Sequence, residues 1–241
     1  MLYKTRGIVL HYIKYGESSI IAQVYTELFG RVSYVINSVR KKKSAYRLSN
    51  FQPLTILEIE SFYRAGHNIQ RLKEIKRYAP LNHISTDVIK SSIAIFLSEI
   101  IYKTLRENES NKQMFDFLIH AIQFLDLMER GVSSFHLVFL IQYSKFLGIY
   151  PQIQLNQESQ DSSSGKSPEL LSDYQLFKNL PEDSRKILAE LTGKSFRDLE
   201  HIQLKSESRS ALLEIMIKFY QYHFENIGQV KSLQVMRELF H

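Results

Sequence analysis

Apolar and polar residues alternate through most of the first 80 positions, and past Pro80 the apolar ones recur every three or four residues. Alternation marks half-buried strands, and the longer period marks amphipathic helices. Residues 3–13 (YKTRGIVLHYI) are rich in β-branched and aromatic side chains and predict a first strand. Lys14, Tyr15, Gly16 and Glu17 predict a turn, with Gly16 free to adopt a positive φ. Residues 18–25 predict a second strand, with Ile20, Ala22 and Val24 on one face and Ile21, Gln23 and Tyr25 on the other. Leu28, Phe29 and Gly30 close a hairpin into a third strand at 31–39, where Val32, Tyr34 and Ile36 oppose Arg31, Ser33 and Asn37. Residues 54–62 predict a fourth strand, with Leu54, Ile56 and Glu58 opposite Thr55, Leu57 and Ile59. Residues 69–78 fit a fifth strand or a short helix. Five short strands in this span suit a closed or nearly closed barrel, which leaves few edges exposed.

The helical period begins at residues 87–106, with Ser85 or Thr86 as N-cap and Asp87 in the first turn. It returns at 114–128 and ends before Gly131. Residues 135–147 (FHLVFLIQYSKFL) are apolar on nearly every side and predict the central helix of a bundle, closed by Gly148 and Pro151. Residues 152–168 are polar and serine-rich and predict a long flexible loop. Helical spacing resumes at 183–191 and 196–202, is strongest at 209–224, and ends in a last helix at 230–240. There is no internal repeat.

Charge changes this picture by dividing it. Residues 1–80 hold 14 Lys and Arg against 5 Asp and Glu, a surplus of +9, whereas residues 81–241 hold 17 against 20. A basic third on a slightly acidic remainder predicts a local polyanion-binding surface. The densest stretch is Arg40, Lys41, Lys42, Lys43, Ser44, Ala45, Tyr46 and Arg47, between the third and fourth strands. Unpaired cations are not buried, so the stretch is a loop. Two readings stand: a solvated loop that keeps a sheet edge soluble, and a phosphate clamp on a small barrel. Arg31, Arg71, Lys73 and Lys76 line the same face if the fifth segment packs beside the third. Tyr46 is the best stacking candidate because it sits among the cations. Tyr12, Tyr15 and Tyr34 are weaker ones, with barrel core the commoner role for Tyr34.

Other chemistries find little support. The chain has no cysteine, so disulfides, a thiol nucleophile and a Cys-based zinc site are excluded. Its eight histidines form neither HExxH nor a tight cluster, so no metal is expected. The glycines make no phosphate-cradling loop, no GxSxG occurs, and Glu58 with Glu60 is weak support for acid–base work. The reading is non-enzymatic and without cofactor. No signal-peptide pattern opens the chain and no apolar run approaches the ~18 residues of a membrane span, so a cytoplasmic protein is expected. In the helical part, Leu212, Ile215, Met216, Phe219 and Tyr220 exceed what one buried face needs. Core is the commoner role for each, and the first four are the candidate groove for a partner peptide.

Several segments together resemble the RecO-type DNA repair and recombination mediators of bacteria. They are Arg6-Gly7-Ile8-Val9-Leu10, Tyr15-Gly16-Glu17-Ser18, Tyr25-Thr26-Glu27-Leu28-Phe29-Gly30-Arg31 and Val39-Arg40-Lys41, which look like the family's first strands and turns. Phe135-His136-Leu137, Phe146-Leu147-Gly148-Ile149-Tyr150-Pro151 and Lys231-Ser232-Leu233 look like its helical domain. The resemblance implies an N-terminal OB-fold that binds single- and double-stranded DNA, strand annealing, and assistance in loading recombinase on strands coated by single-stranded-DNA-binding protein. It implies a RecR-type partner and capture of the acidic tail of single-stranded-DNA-binding protein on the helical domain. Many members carry a four-cysteine zinc module after the Leu-Gly-Ile-Tyr-Pro-like segment. Here that region lacks cysteine, so a plain loop is expected in its place.

The expectation is therefore an α+β chain: an OB-fold β-barrel at 1–80 followed by an all-α helical domain at 81–241. DNA contacts are expected from Arg31, Arg40, Lys41, Lys42, Lys43, Tyr46, Arg47, Arg71, Lys73 and Lys76. The competing readings are a protein–protein adaptor whose basic loop only solubilises an edge, and an RNA-binding OB-fold protein.

Overall fold

The computed structural model describes residues 1–37, 39, 46–105, 110–151, 176–178 and 180–240. Arg40, Lys41, Lys42 and Lys43, and the polar stretch 152–168, lie outside the described residues. Two compact units emerge: residues 1–127 with 230–233, and residues 128–229 with 234–241.

The first unit begins with a closed five-stranded barrel. Its strands are β1 (Leu2–Tyr15), β2 (Ser19–Thr26), β3 (Gly30–Ile36), β4 (Ile56–Phe62) and β5 (Ile69–Arg77), in the order β1-β2-β3-β5-β4. All neighbours are antiparallel except β3 and β5, which run parallel. The fifth segment is thus a strand, and it does pack beside the third. Closure depends on β1, whose first half pairs with β4 and second half with β2. A bulge between Val9 and His11 bends it between the two. Gly7 sits at the shared stretch, opposite both Thr26 and Leu57. A Cβ there would lie 2.6 Å from Val24 Cγ1 and 2.7 Å from Ile59 Cδ1, so glycine is required for the approach.

The barrel core takes one face of each strand, including Val9, Ile20, Ala22, Val24, Val32, Tyr34, Ile36, Leu57, Ile59 and Ile75. Ile8, Leu10 and Tyr25 point elsewhere and are buried too. They account for apolar runs that do not alternate cleanly, since part of the outer face is also covered. Three boundaries differ from the sequence pattern. The β1 strand runs on to Tyr15, β3 stops at Ile36, and β4 starts at Ile56 rather than Leu54. Leu54 has φ 61°, the left-handed region, and donates its N–H to Val9 O at 2.8 Å. In β4, Leu57, Ile59 and Ser61 face inward while Glu58 and Phe62 face out.

The same unit contains α1 (Val88–Thr104) and α2 (Lys112–Leu127). Asp87 is itself the N-cap of α1, accepting from Ile89 N at 2.8 Å and Lys90 N at 3.0 Å. Ser85 and Thr86, the expected caps, instead donate to carbonyls of the preceding turn. The Asp126 carboxylate ties that turn to α2 by accepting His83 N at 2.9 Å and Ile84 N at 2.8 Å. Glu99 on α1 accepts from Lys231 N, Ser232 N and Ser232 Oγ at 3.0, 2.9 and 2.6 Å.

The second unit is built round α3 (Phe135–Phe146), which is buried on nearly all sides, as apolar residues on nearly every side of it require. It packs against α4 (Glu182–Thr192) and α5 (Ser206–His223), with α6 (Leu233–Phe240) ending the chain. Gly148 has φ 73°, and the Ile149 and Gly148 amides close the last turn of α3 on Ser144 O and Lys145 O. No helix among the described residues is long and apolar enough to cross a membrane.

Candidate nucleic-acid interface

On an OB barrel the outer faces of β2 and β3, with the β1–β2 and β4–β5 loops, form the oligonucleotide-binding surface. Here that face has a covered end and an open end. At the covered end, Tyr25 packs against Phe115 of α2 with the rings tilted by 44° and centroids 5.9 Å apart, and donates its hydroxyl to Asn111 O at 3.5 Å. Burial pushes the Tyr25 phenol up to about 12. Arg6 grips Glu27 through two bonds, Nε to Oε2 at 2.8 Å and Nη2 to Oε1 at 2.7 Å. The guanidinium holds the Glu27 carboxyl below the usual carboxylate range.

The expected cations divide between these ends. Arg31 lies at the covered end, donating to Tyr102 O at 3.1 Å and lying over the Tyr102 ring. Arg71 lies at the open end, exposed, opposite Val35 of β3 and Phe62 of β4. Lys73 and Lys76 are exposed but paired, Lys73 with Glu60 at 3.1 Å and Lys76 with Glu74 at 3.1 Å. Glu60 also meets Lys4 at 2.8 Å. Lys4, Glu60, Glu74 and Lys76 line a depression of about 420 Å³ across β1, β4 and β5, of mixed charge. Tyr46 packs against the barrel core and donates its hydroxyl to Lys73 O at 2.7 Å. Arg47 is exposed. Tyr34 is wholly buried, with its hydroxyl 3.4 Å from Ser61 Oγ. Val39 and Tyr46, the described residues on either side of the lysine run, both belong to the barrel core region.

Sequence reasoning missed the β4–β5 loop. It carries Arg64 and is shaped by Gln70, a buried side chain that accepts Arg64 N and donates to Arg64 O and His67 O. Also missed were the exposed apolar residues Ile13, Phe62 and Ile69 on the outer face. The available signal was an Arg-Ala-Gly-His connection, with Gly66 at φ 81°, between two strands of a suspected OB barrel.

Two family models match the chain, one over the barrel and one over most of the helical part. The model "Recombination protein O N terminal" matches residues 1–80, and "Recombination protein O C terminal" matches residues 85–234. The chain belongs to the RecO family of DNA repair and recombination proteins. Similar RecO-family relatives are the DNA repair protein RecO of Bacteroides fragilis, 35% identical over 247 residues, and that of Phocaeicola vulgatus, 37% identical over 242. The counterpart from Flavobacterium psychrophilum is 36% identical over 241 residues. In each case the match covers 100% of both chains. These RecO names state DNA repair and no catalytic activity. Among the described residues, no group of three or more His, Cys, Asp or Glu is placed to hold a metal ion.

The proposed groove residues of the helical part lie inside it. Leu212, Met216 and Phe219 are fully buried and Ile215 is 8% exposed, so a peptide reaches them only by displacing packed side chains. His136 is buried against the Phe240 ring, and burial, with Arg209 adding to it, lowers its pKa to about 3. It is a neutral core histidine rather than a site.

Proposed function

We propose that this chain is a recombination mediator. It binds single- and double-stranded DNA, anneals complementary strands and assists recombinase loading on strands coated by single-stranded-DNA-binding protein. The observation that carries the reading is the open end of the OB face. Exposed Arg71 lies there between strands, and the basic segment 40–43 is joined to described residues, Val39 and Tyr46, that pack on the same barrel. The resemblance and the family both support it. Annealing needs no catalytic group; it needs two strands held with their phosphate charge screened and their bases available. A RecR-type partner, the tail of single-stranded-DNA-binding protein and a place at the nucleoid belong to the same proposal.

Fluorescence anisotropy with labelled single-stranded DNA at several salt concentrations tests it, comparing wild type with Lys41, Lys42 and Lys43 all changed to Glu. The expected result is salt-sensitive binding that the variant loses. Unchanged affinity in the variant, or a flat salt dependence, favours the adaptor reading. Tighter binding to RNA of the same sequence favours an RNA-binding role. A strand-annealing assay then separates a mediator from a passive binder.

A further inference from the structure

A row of side chains crosses the outside of the barrel and is apolar except at one place. Ile13 stands opposite Ile21, Ile21 opposite Val35, Val35 opposite Arg71, and Arg71 opposite Phe62. Ile69 lies on the same face of β5, two residues before Arg71 and opposite Ser33. Ile13, Phe62 and Ile69 are 50%, 49% and 44% exposed. A single exposed apolar side chain such as Ile13 is ordinary, and buried Ile21 at 8% separates it from the rest of the row; Phe62 and Ile69, flanking Arg71 beside half-buried Val35, form an exposed apolar group of the kind that marks a contact surface. Folding does not require it, because the inner faces of these strands already fill the core.

Charge restricts the occupant. Among the described residues Arg71 has no carboxylate within salt-bridge distance, whereas Lys73 and Lys76 of the same strand do. The strip therefore offers apolar area with one available cation inside it. A single nucleic-acid strand presents the complement: flat apolar bases and a phosphate at every nucleotide. A duplex turns its bases inward and presents mainly phosphate.

We infer that this strip binds unpaired bases and makes the site selective for single-stranded over duplex DNA, with Phe62 and Ile69 against bases and Arg71 on a phosphate. When two bound strands pair, their bases leave the strip, and the duplex product is held by cations alone. The strip thus favours the substrate of annealing over its product. This inference rests on the DNA-binding reading above and adds the element that tells the two ligands apart.

The test titrates a labelled single-stranded oligonucleotide and the matching duplex with full-length wild type and with a Phe62→Ala/Ile69→Ala variant, each at several salt concentrations. Stacking contacts of this kind predict about tenfold weaker single-strand binding. The salt slope and the duplex affinity stay unchanged, because no cation is removed. A Phe62→Trp variant retains the flat face and retains single-strand affinity; melting curves confirm that all three proteins are folded. Equal losses on both ligands, or no loss on the single strand, overturn the inference. So does a wild-type dimer in sedimentation that the double variant lacks, since the strip is then an interface between copies. If wild type itself shows no salt-dependent binding, the parent reading fails. If it does and the variant is indifferent to strand state, only the strip assignment fails.

Discussion

Gln70 grips Arg64 by both backbone groups: its Oε1 accepts the Arg64 N–H at 3.0 Å and its Nε2 donates to the Arg64 carbonyl at 2.8 Å. A third bond from Nε2 reaches His67 O at 2.8 Å. One buried amide thereby fixes the whole β4–β5 loop, satisfying backbone groups that a turn leaves without strand partners.

Replacing Gln70 by Leu keeps the volume and removes all three bonds. Buried polar groups left without partners cost about 1–3 kcal/mol. The variant is expected to melt at lower temperature, and its residues 64–67 to exchange amide hydrogens faster than in wild type. Unaltered exchange in that loop refutes the role given to Gln70.

Gly7 predicts a different failure. The β1 strand passes Val24 and Ile59 too closely for a side chain, so Gly7→Ala forces the core apart rather than straining the backbone. Overpacking of this sort costs about 1–3 kcal/mol. Urea denaturation measures it as a lowered midpoint at constant slope. A Gly7→Ala/Val24→Ala double variant recovers part of the loss if the clash with Val24 is its cause.

Glu99 gives the pH dependence. Burial pushes its carboxyl up, but the bonds from Ser232 and Lys231 and the Lys103 ion pair outweigh it and hold the pKa below its ordinary 4.5. A depressed carboxyl contributes stability above its unfolded pKa and loses it as pH falls through the folded one. Glu99→Gln is therefore expected to lower the melting temperature at neutral pH, by a loss of about 1–3 kcal/mol. The gap from wild type narrows as the pH drops below 4.5. A gap that persists or widens in acid contradicts this assignment.

Much of the barrel is legible in the sequence because each strand must place alternate side chains in one core. What is not legible is which outer-face residues are covered. Tyr25 and Ile13 are both apolar and both point outward, yet one lies under Phe115 and the other is half exposed. Arg31 and Arg71 are equivalent in the sequence, and only the position of Tyr102 distinguishes them. Cover is a tertiary property that local period does not encode. The cap of α1 was missed for a local reason: Ser85, Thr86 and Asp87 are all good caps, and the contest is decided by carbonyls of the preceding turn that bind the two hydroxyls. The α3 helix needed no such information, since apolar residues spread round nearly every side of it, interrupted only by His136, Gln142, Ser144 and Lys145, leave only a central place for it.

The same distinction separates two cations of one strand. Arg71 is exposed with no carboxylate within salt-bridge distance among the described residues, whereas Lys73 meets Glu60, which Lys4 also holds. A phosphate approaching Lys73 also approaches the Glu60 charge, and counterions there are already partly replaced by the carboxylate. Arg71→Ala is expected to reduce the slope of log affinity against log salt by about one phosphate contact. Lys73→Ala is expected to change it less, because Lys4 remains on Glu60. Both substitutions are on the surface, so folding is unaffected and the binding isotherms compare directly. Equal slopes for the two variants place both residues in the same electrostatic environment and refute the division of the barrel face into an open and a carboxylate-paired side. A larger effect at Lys73 moves the DNA path onto β4 and the depression beside Glu58 and Glu60.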